Sequence, residues 1–373
     1  MTVFYTLPEL CHVLEEFQTI YTYQTSLTIP NAAKASLKHY KERTCRFCSK
    51  KYPSTSFMKE AHILPFFLGN RYGLSEFECD NCNSHFSRFE NDLAKYLGVE
   101  KSINGSISRN GIPTTKSQAN DIEARSATML GVKGRMIQLT DLESDSLEII
   151  DSEDGEDTLV KFKFVKQSYI PAFVYKSLLK IALSALPLEE TKYYSNAFSY
   201  LLDSENKKWK GFQSLMIFKF PITPSFVLPF GRLFKKKDES ISACTHQFSL
   251  YYQNLVLSFG IPFHIADIQN GLYDGKSYSF PICPPLSVFP LPIGLKVESQ
   301  NLDLSSYEIV KGEKEEIVMK SKKIDPNLMA SIDHETGEVS PSKFNIEKIK
   351  GIFLYKSDQE LKITQVKKND KDI

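Results

Sequence analysis

The sequence lacks an excess of either charge: among 373 residues, 46 lysines and arginines face 45 aspartates and glutamates. The whole molecule therefore presents almost no net field, and any grip on a polyanion must come from local patches. It lacks an uninterrupted apolar stretch of about 18 residues, which excludes a membrane-spanning helix. The opening "MTVFYTLPELCHVLEEF" has acids in its first turns and no basic start ahead of an apolar run, so no secretion signal is expected. An even set of cysteines is missing too. Of the seven, four form two C-x-x-C pairs, which favours metal ligation in a reducing compartment over a disulfide framework. A cytoplasmic protein with no membrane partner is expected.

The length exceeds what one compact core needs and predicts two domains with a small module attached. Residues 1–43 read as an N-terminal helical segment, because "LPELCHVLEEF" and "NAAKASLKHYKER" space apolar residues three or four apart. Residues 44–100 hold the cysteine-rich module, and 101–120, rich in Ser, Gly and Asn, a linker or polar loop. Residues 121–373 read as a larger α+β domain with an antiparallel sheet and a lysine-rich tail.

Within that domain "SATML", "GRMIQLTD", "SLEIID", "TLVKFKFV" and "HQFSLYYQNLVLSFGIPFHIADI" predict strands, and "GIFLYK" one more. "AFVYKSLLKIALSAL" predicts a helix with Val174, Leu178, Ile181 and Ala185 on one side, followed by a second over "TKYYSNAFSYLLDS". The acidic run "DLESDSLEIIDSEDGED" reads as a solvated hairpin edge and "RLFKKKDES" as a surface loop.

Cys45-x-x-Cys48 and Cys79-x-x-Cys82 are two knuckles, each a turn that presents two thiolates to one point, as tetrahedral Zn²⁺ requires. Such an ion is closed: it supports folding and activates no water. Cys11, Cys244 and Cys283 have no partner at ligand spacing and read as core or surface residues.

Between the knuckles "SFMKEAHILP" reads as a strand ending at Pro65, which puts Glu60 and His62 on one face. A helix is expected from about Asn83, with Phe86, Phe89, Leu93 and Leu97 inward and the Asn83 amide toward the strand of His62. Alternative roles are a carbonyl or thiolate partner for His62 and a helix N-cap for Asn83. Glu78 and Asp80 flank a knuckle and are expected to face solvent. Glu90, about 10.5 Å further along the helix, is poorly placed to share an ion with Asn83, and His85 is turned away by about 200°. Arg43, Arg46, Lys50, Lys51, Lys59, Arg71 and Arg88 are candidate phosphate contacts.

Over roughly residues 44–97 the sequence resembles the HNH endonucleases, the ββα-metal fold with a treble-clef-like zinc site. The resemblance is carried by the flanking pairs Cys45/Cys48 and Cys79/Cys82, by "AHILP" with His62 followed by "LGN", and by "CDNCN" ending in Asn83. It implies His62 as general base, Asn83 as a ligand of a catalytic divalent ion, and the four cysteines as structural zinc ligands. Many family members place an aspartate before the histidine, where this chain has Ala61. Glu60 is the candidate substitute ligand. Asn70 is the nearest match to the family's loop asparagine and a candidate brace for the loop.

The resemblance thus implies a metal-dependent endonuclease with structural Zn²⁺ and catalytic Mg²⁺ or Mn²⁺, acting on double-stranded DNA. A restriction or antiviral role, with the C-terminal domain binding a second copy, a ligand or an activating protein, would suit such a module. Two alternatives stay open: a zinc-stapled module that binds nucleic acid without cutting it, and a nuclease acting on RNA or single strands.

Overall fold

The computed structural model describes residues 4–28, 39–70, 73–103, 114–129, 132–141, 143–151, 157–203, 212–220, 226–273, 280–288, 297–322, 330–332, 339–341 and 351–354. The fold is α+β, and every strand ladder in it is antiparallel. No helix among the described residues is long and apolar enough to cross a membrane.

The chain divides into two compact units, residues 1–97 with 168–311 and residues 98–167 with 312–373. This division departs from the linear order expected from composition. The described residues of the polar stretch, 101–103 and 114–120, fall in the second unit, and the cysteine-rich segment shares a unit with residues from beyond it.

The first unit is built on a six-stranded sheet in the order Tyr21–Leu27, Phe226–Lys236, His246–Gln253, Leu255–Ile261, Ser214–Lys219, Glu298–Asp303. Its central hairpin turns at Gln253 and Asn254, with Gln253 at φ 54° and the Asn254 amide on the Phe220 carbonyl at 3.2 Å. Every residue of His246–Gln253 is buried, as in a strand covered on both faces. Gly231 permits that burial, because a Cβ there would meet Cζ of Phe248 at 2.4 Å.

Helix Pro171–Ala185 lies against this sheet, its Tyr175 ring 5.6 Å from that of Phe259. The expected one-sided stripe is not what the structure shows. From Pro171 to Ser184 all residues but Phe173 are buried, including Lys176 and Lys180. The next expected helix is Ser195–Leu202 behind a 3-10 turn, Thr191–Tyr194. At the N-terminus Pro8–Leu10 and Cys11–Ile20 are helical as expected, with Leu14 and Phe17 buried against Tyr21 and Phe234. Most of the second helix expected there lies outside the described residues.

"RLFKKKDES" is not a surface loop. Its first half belongs to strand Phe226–Lys236, and Arg232 and Lys236 are buried, Lys236 on the carbonyls of Ile241 and Ala243 at 3.2 and 3.1 Å. Alternation with Leu233 and Phe234 gave no sign of this, since long basic side chains read as solvated.

In the second unit Leu147–Asp151 and Asp157–Val165 form the expected hairpin, with the acidic strand at one edge of a three-stranded sheet completed by Lys314–Lys322. Ile122–Met129 and Val132–Leu139 sit in a four-stranded sheet between Thr115–Lys116 and Gly351–Leu354. The remaining C-terminal tail lies outside the described residues.

Candidate active site

The first knuckle is a tight turn closed by Cys45 N–H on Lys50 O (2.9 Å) and Ser49 N–H on Cys45 O (2.8 Å), with Ser49 at φ 60°. Arg46 N–H reaches Phe77 O at 2.8 Å and ties this turn to the approach of the second knuckle. There Cys79 is the N-cap of helix Asp80–Tyr96, and Cys82 follows three residues on, in the first turn. The Cys45 and Cys82 sulfurs are 3.7 Å apart, as are those of Cys48 and Cys79, and all four lie within 4.8 Å of one another. A regular tetrahedron with Zn–S of about 2.3 Å has edges of about 3.8 Å. The cage is therefore of zinc size.

Its electrostatics ask for a cation as well. The contact with Cys82 holds the Cys45 thiol down at about 5, whereas burial pushes Cys48 up to about 11, and the Cys45 contact pushes Cys82 far above the ordinary range. Four sulfurs this close cannot all ionise unless a dication offsets them, and an all-thiolate tetrahedral set selects zinc or iron–sulfur chemistry. Among the described residues these four cysteines are the one group of three or more His, Cys, Asp or Glu side chains placed to hold an ion. Of the other cysteines, Cys244 and Cys283 are buried and Cys11 is exposed.

The segment carrying His62 is not the regular strand expected. It makes one isolated bridge, His62 with Leu74, flanked by Ser75 N–H on Ala61 O (2.8 Å) and Ile63 N–H on Gly73 O (3.1 Å). Alternation fails there: Ala61 and His62 are both buried while Glu60 is exposed. The expected common face of Glu60 and His62 is therefore absent. Phe57 anchors the segment in the core, and a ladder of one bridge imposes no period of two beyond it. His62 is 8% exposed, with both ring nitrogens below the surface and its ring edge-on to Phe66 at 5.1 Å.

Asn70 is fully buried and braces the loop. Its Nδ2 donates to Leu64 O (2.7 Å) and Gly73 O (3.0 Å), and its Oδ1 accepts from Gly73 N–H (2.7 Å). With all three bonds inside the loop, it fixes the return of the chain to Leu74 opposite His62.

Helix Asp80–Tyr96 starts three residues earlier than expected, so Asn83 is not its N-cap; the Asn83 N–H already donates to Cys79 O at 2.9 Å. That frees the half-buried Asn83 amide from the cap role. Asp80 does not face solvent either. It accepts from Ser56 Oγ (2.6 Å), Met58 N–H (3.1 Å) and Lys59 N–H (2.8 Å), pinning the strand-side segment to the helix start. Burial opposes its charge, but these hydrogen bonds prevail and hold its carboxyl below the usual range. His85 is turned toward Leu201 O (3.3 Å) and Arg88 (3.0 Å), away from the Asn83 face.

Sequence reasoning missed a charged node. Lys180 Nζ, 1% exposed, donates to the His62 carbonyl at 2.7 Å and pairs with Glu78 at 3.1 Å and Glu90 at 3.2 Å. Burial pushes Glu78 up to about 7 against the pull of Lys180. Burial pushes Lys180 down, yet its two carboxylates prevail and keep it a cation. The signal available was a pair of lysines four apart on an otherwise apolar helix. Glu90 lies two turns beyond Asn83, so the helix face that meets Lys180 and the His62 segment is the face that carries Asn83.

The basic residues divide. Lys50, Lys51, Lys59 and Arg88 are exposed. Arg46 is not free for phosphate: its Nη1 donates to Leu183, Ser184 and Leu186 carbonyls at 3.1, 2.9 and 3.0 Å, and it stacks on Phe77 at 3.9 Å. Burial lowers it to about 10. Arg71 lies outside the described residues.

The cysteine segment is also no free-standing module. Phe47, Phe86, Phe89 and Leu93 share one core with Val174, Tyr175, Leu178 and strand residues of the sheet, and Phe89 meets Phe173 at 4.8 Å. Asp92 accepts from Ile170 N–H at 2.8 Å, at the start of the buried helix.

Residues 45–96 match the family described as HNH endonuclease. The match points to nuclease activity and a nucleic-acid substrate. No curated protein and no solved structure matches the chain.

Proposed function

We propose that residues 45–96 hydrolyse phosphodiester bonds of double-stranded DNA, with His62 as the general base. The observation that carries this reading is the four-sulfur cage within a segment matching the HNH family, which ties the first knuckle to the start of the helix that bears Asn83, with His62 in the chain between them. A zinc ion in the cage would hold the knuckle to the helix and do no chemistry. His62 takes the proton of the attacking water. Asn83 would hold a hydrated Mg²⁺ or Mn²⁺, with exposed Glu60 the candidate second ligand, and the ion would supply positive charge to the leaving oxygen. Exposed Lys50, Lys51, Lys59 and Arg88 offer charge for backbone phosphates. The His62 ring must be uncovered for this role, by substrate binding or local opening.

A second reading is a zinc-stapled module that binds nucleic acid without cleaving it. The burial of His62 and the alanine before it favour that reading. Plasmid cleavage by the full chain with Mg²⁺, Mn²⁺ or EDTA separates the two, with His62→Ala alongside. The expected result is nicking or linearisation by wild type with either ion, lost in EDTA and in the variant. Equal behaviour of wild type and His62→Ala would leave the binding module. Single-stranded DNA and RNA in the same assay test the choice of substrate.

A further inference from the structure

We propose that Lys180, outside the family match, is a positioning residue for His62; the inference rests on the nuclease reading above. In the bridge to Leu74, the hydrogen bonds are made by Ala61 and Ile63, so the N–H and C=O of His62 point away from the facing segment. The carbonyl meets the Lys180 ammonium at 2.7 Å. This ammonium reaches three separate arms of the site, donating hydrogen bonds to two of them, the His62 carbonyl and Glu90, and pairing by charge with Glu78. One is His62 itself, one is Glu78 beside the zinc ligand Cys79, and one is Glu90 on the helix that carries Asn83.

Stability alone gives little reason for this arrangement. A buried ion cluster is commonly no more stable than apolar side chains of the same volume, so its retention points to geometry. Fixing the main chain of His62 to both the knuckle and the helix sets where the imidazole can stand relative to Asn83. Displacement of a reacting group by about 1 Å can cost about a hundredfold in rate.

The test uses the full chain, supercoiled duplex plasmid and Mg²⁺ or Mn²⁺. Lys180→Met/Glu78→Met/Glu90→Gln replaces the whole cluster and leaves no buried charge unpaired. Counted per zinc-loaded chain, kcat is expected to fall about 10- to 100-fold with KM unchanged. A merely structural role would lower the yield of zinc-loaded protein and its melting temperature while the surviving molecules kept the wild-type kcat, and that result overturns the inference. Lys180→Arg keeps the charge and both ion pairs, but its longer planar head shifts the His62 carbonyl. It is expected to lose kcat at least about fivefold with unchanged KM, and it decides the matter if the neutral variant does not fold. Cleavage abolished by His62→Ala yet undiminished in both Lys180 variants defeats the inference alone. A wild type no different from His62→Ala defeats the nuclease reading and the inference with it.

Discussion

The Nη1 of Arg46 donates to the carbonyl oxygen of Ser184 at 2.9 Å, so a side chain set between two zinc-ligand cysteines closes the last turn of helix Pro171–Ala185. Leu183 and Leu186 carbonyls share the same nitrogen. Arg46→Ala strands these buried acceptors and is expected to cost about 3 kcal/mol in denaturant melts. Because the guanidinium is engaged there, the salt dependence of DNA binding should stay at the wild-type slope. A slope reduced by about one unit would mean that Arg46 contacts phosphate after all.

Asn70 offers an isosteric test of the loop. In Asn70→Asp the donors to Leu64 and Gly73 carbonyls become acceptors, while the bond from Gly73 N–H survives. The Leu64 carbonyl then loses this donor, the Gly73 carbonyl keeps only Ile63 N–H, and both face a like charge, a cost of about 1 to 3 kcal/mol. The melting temperature should drop, and hydrogen exchange at Ser75, whose N–H bonds Ala61 O, should speed up. An unaltered exchange rate at Ser75 would show that the loop holds without Asn70.

Zinc removal should be felt well beyond the knuckles. Since Phe47, Phe86 and Phe89 belong to the same core as Val174, Leu178 and the sheet, a chelator or Cys82→Ser is expected to lower the main unfolding transition of the first unit. Calorimetry together with metal analysis, at one zinc per wild-type chain, checks this. A chelated protein whose main transition does not move would show that the cage is a local ornament.

His246 provides a pH signature in the central strand of the sheet. It is fully buried, with Tyr194 Oη at 2.7 Å from Nδ1, and burial first, then Lys235 and His264, lower it to about 3. The unfolded chain takes up this proton below about 6.5 while the folded one does not, so the contribution of His246 is intact above that pH and is lost as pH falls toward 3. Between pH 6.5 and 5 the loss is about 2 kcal/mol. Asp267, raised by burial to about 6, acts in the opposite sense over an overlapping window, favouring the folded state as pH falls. The comparison must therefore be wild type against His246→Gln. The variant should lose less stability on acidification, and parallel curves would refute the assignment.

The cysteine pairs disclosed the cage because four soft ligands at knuckle spacing have few other uses, and strand patterns such as "TLVKFKFV" disclosed the hairpins because one face of each is wet. The same logic concealed Lys180, Arg46 and Lys236. Each is a long basic side chain whose charge is met by carboxylates or carbonyls, distant in sequence for Lys180 and Arg46 and in the following loop for Lys236, and periodicity assigns such residues to solvent. The common face expected for Glu60 and His62 failed for a different reason: a single bridge imposes no alternation beyond itself. Asn70 was legible as a brace because its place in "LGN" suggested a loop, though its three partners were not.

The bond from Lys180 to the His62 carbonyl spans 118 positions of chain. At ribosomal speeds of about 5 to 20 residues per second, the nascent protein carries its imidazole for roughly 6 to 24 s before the ammonium that orients it has been synthesised. During translation the His62 carbonyl therefore waits for this partner until residue 180 has left the ribosome.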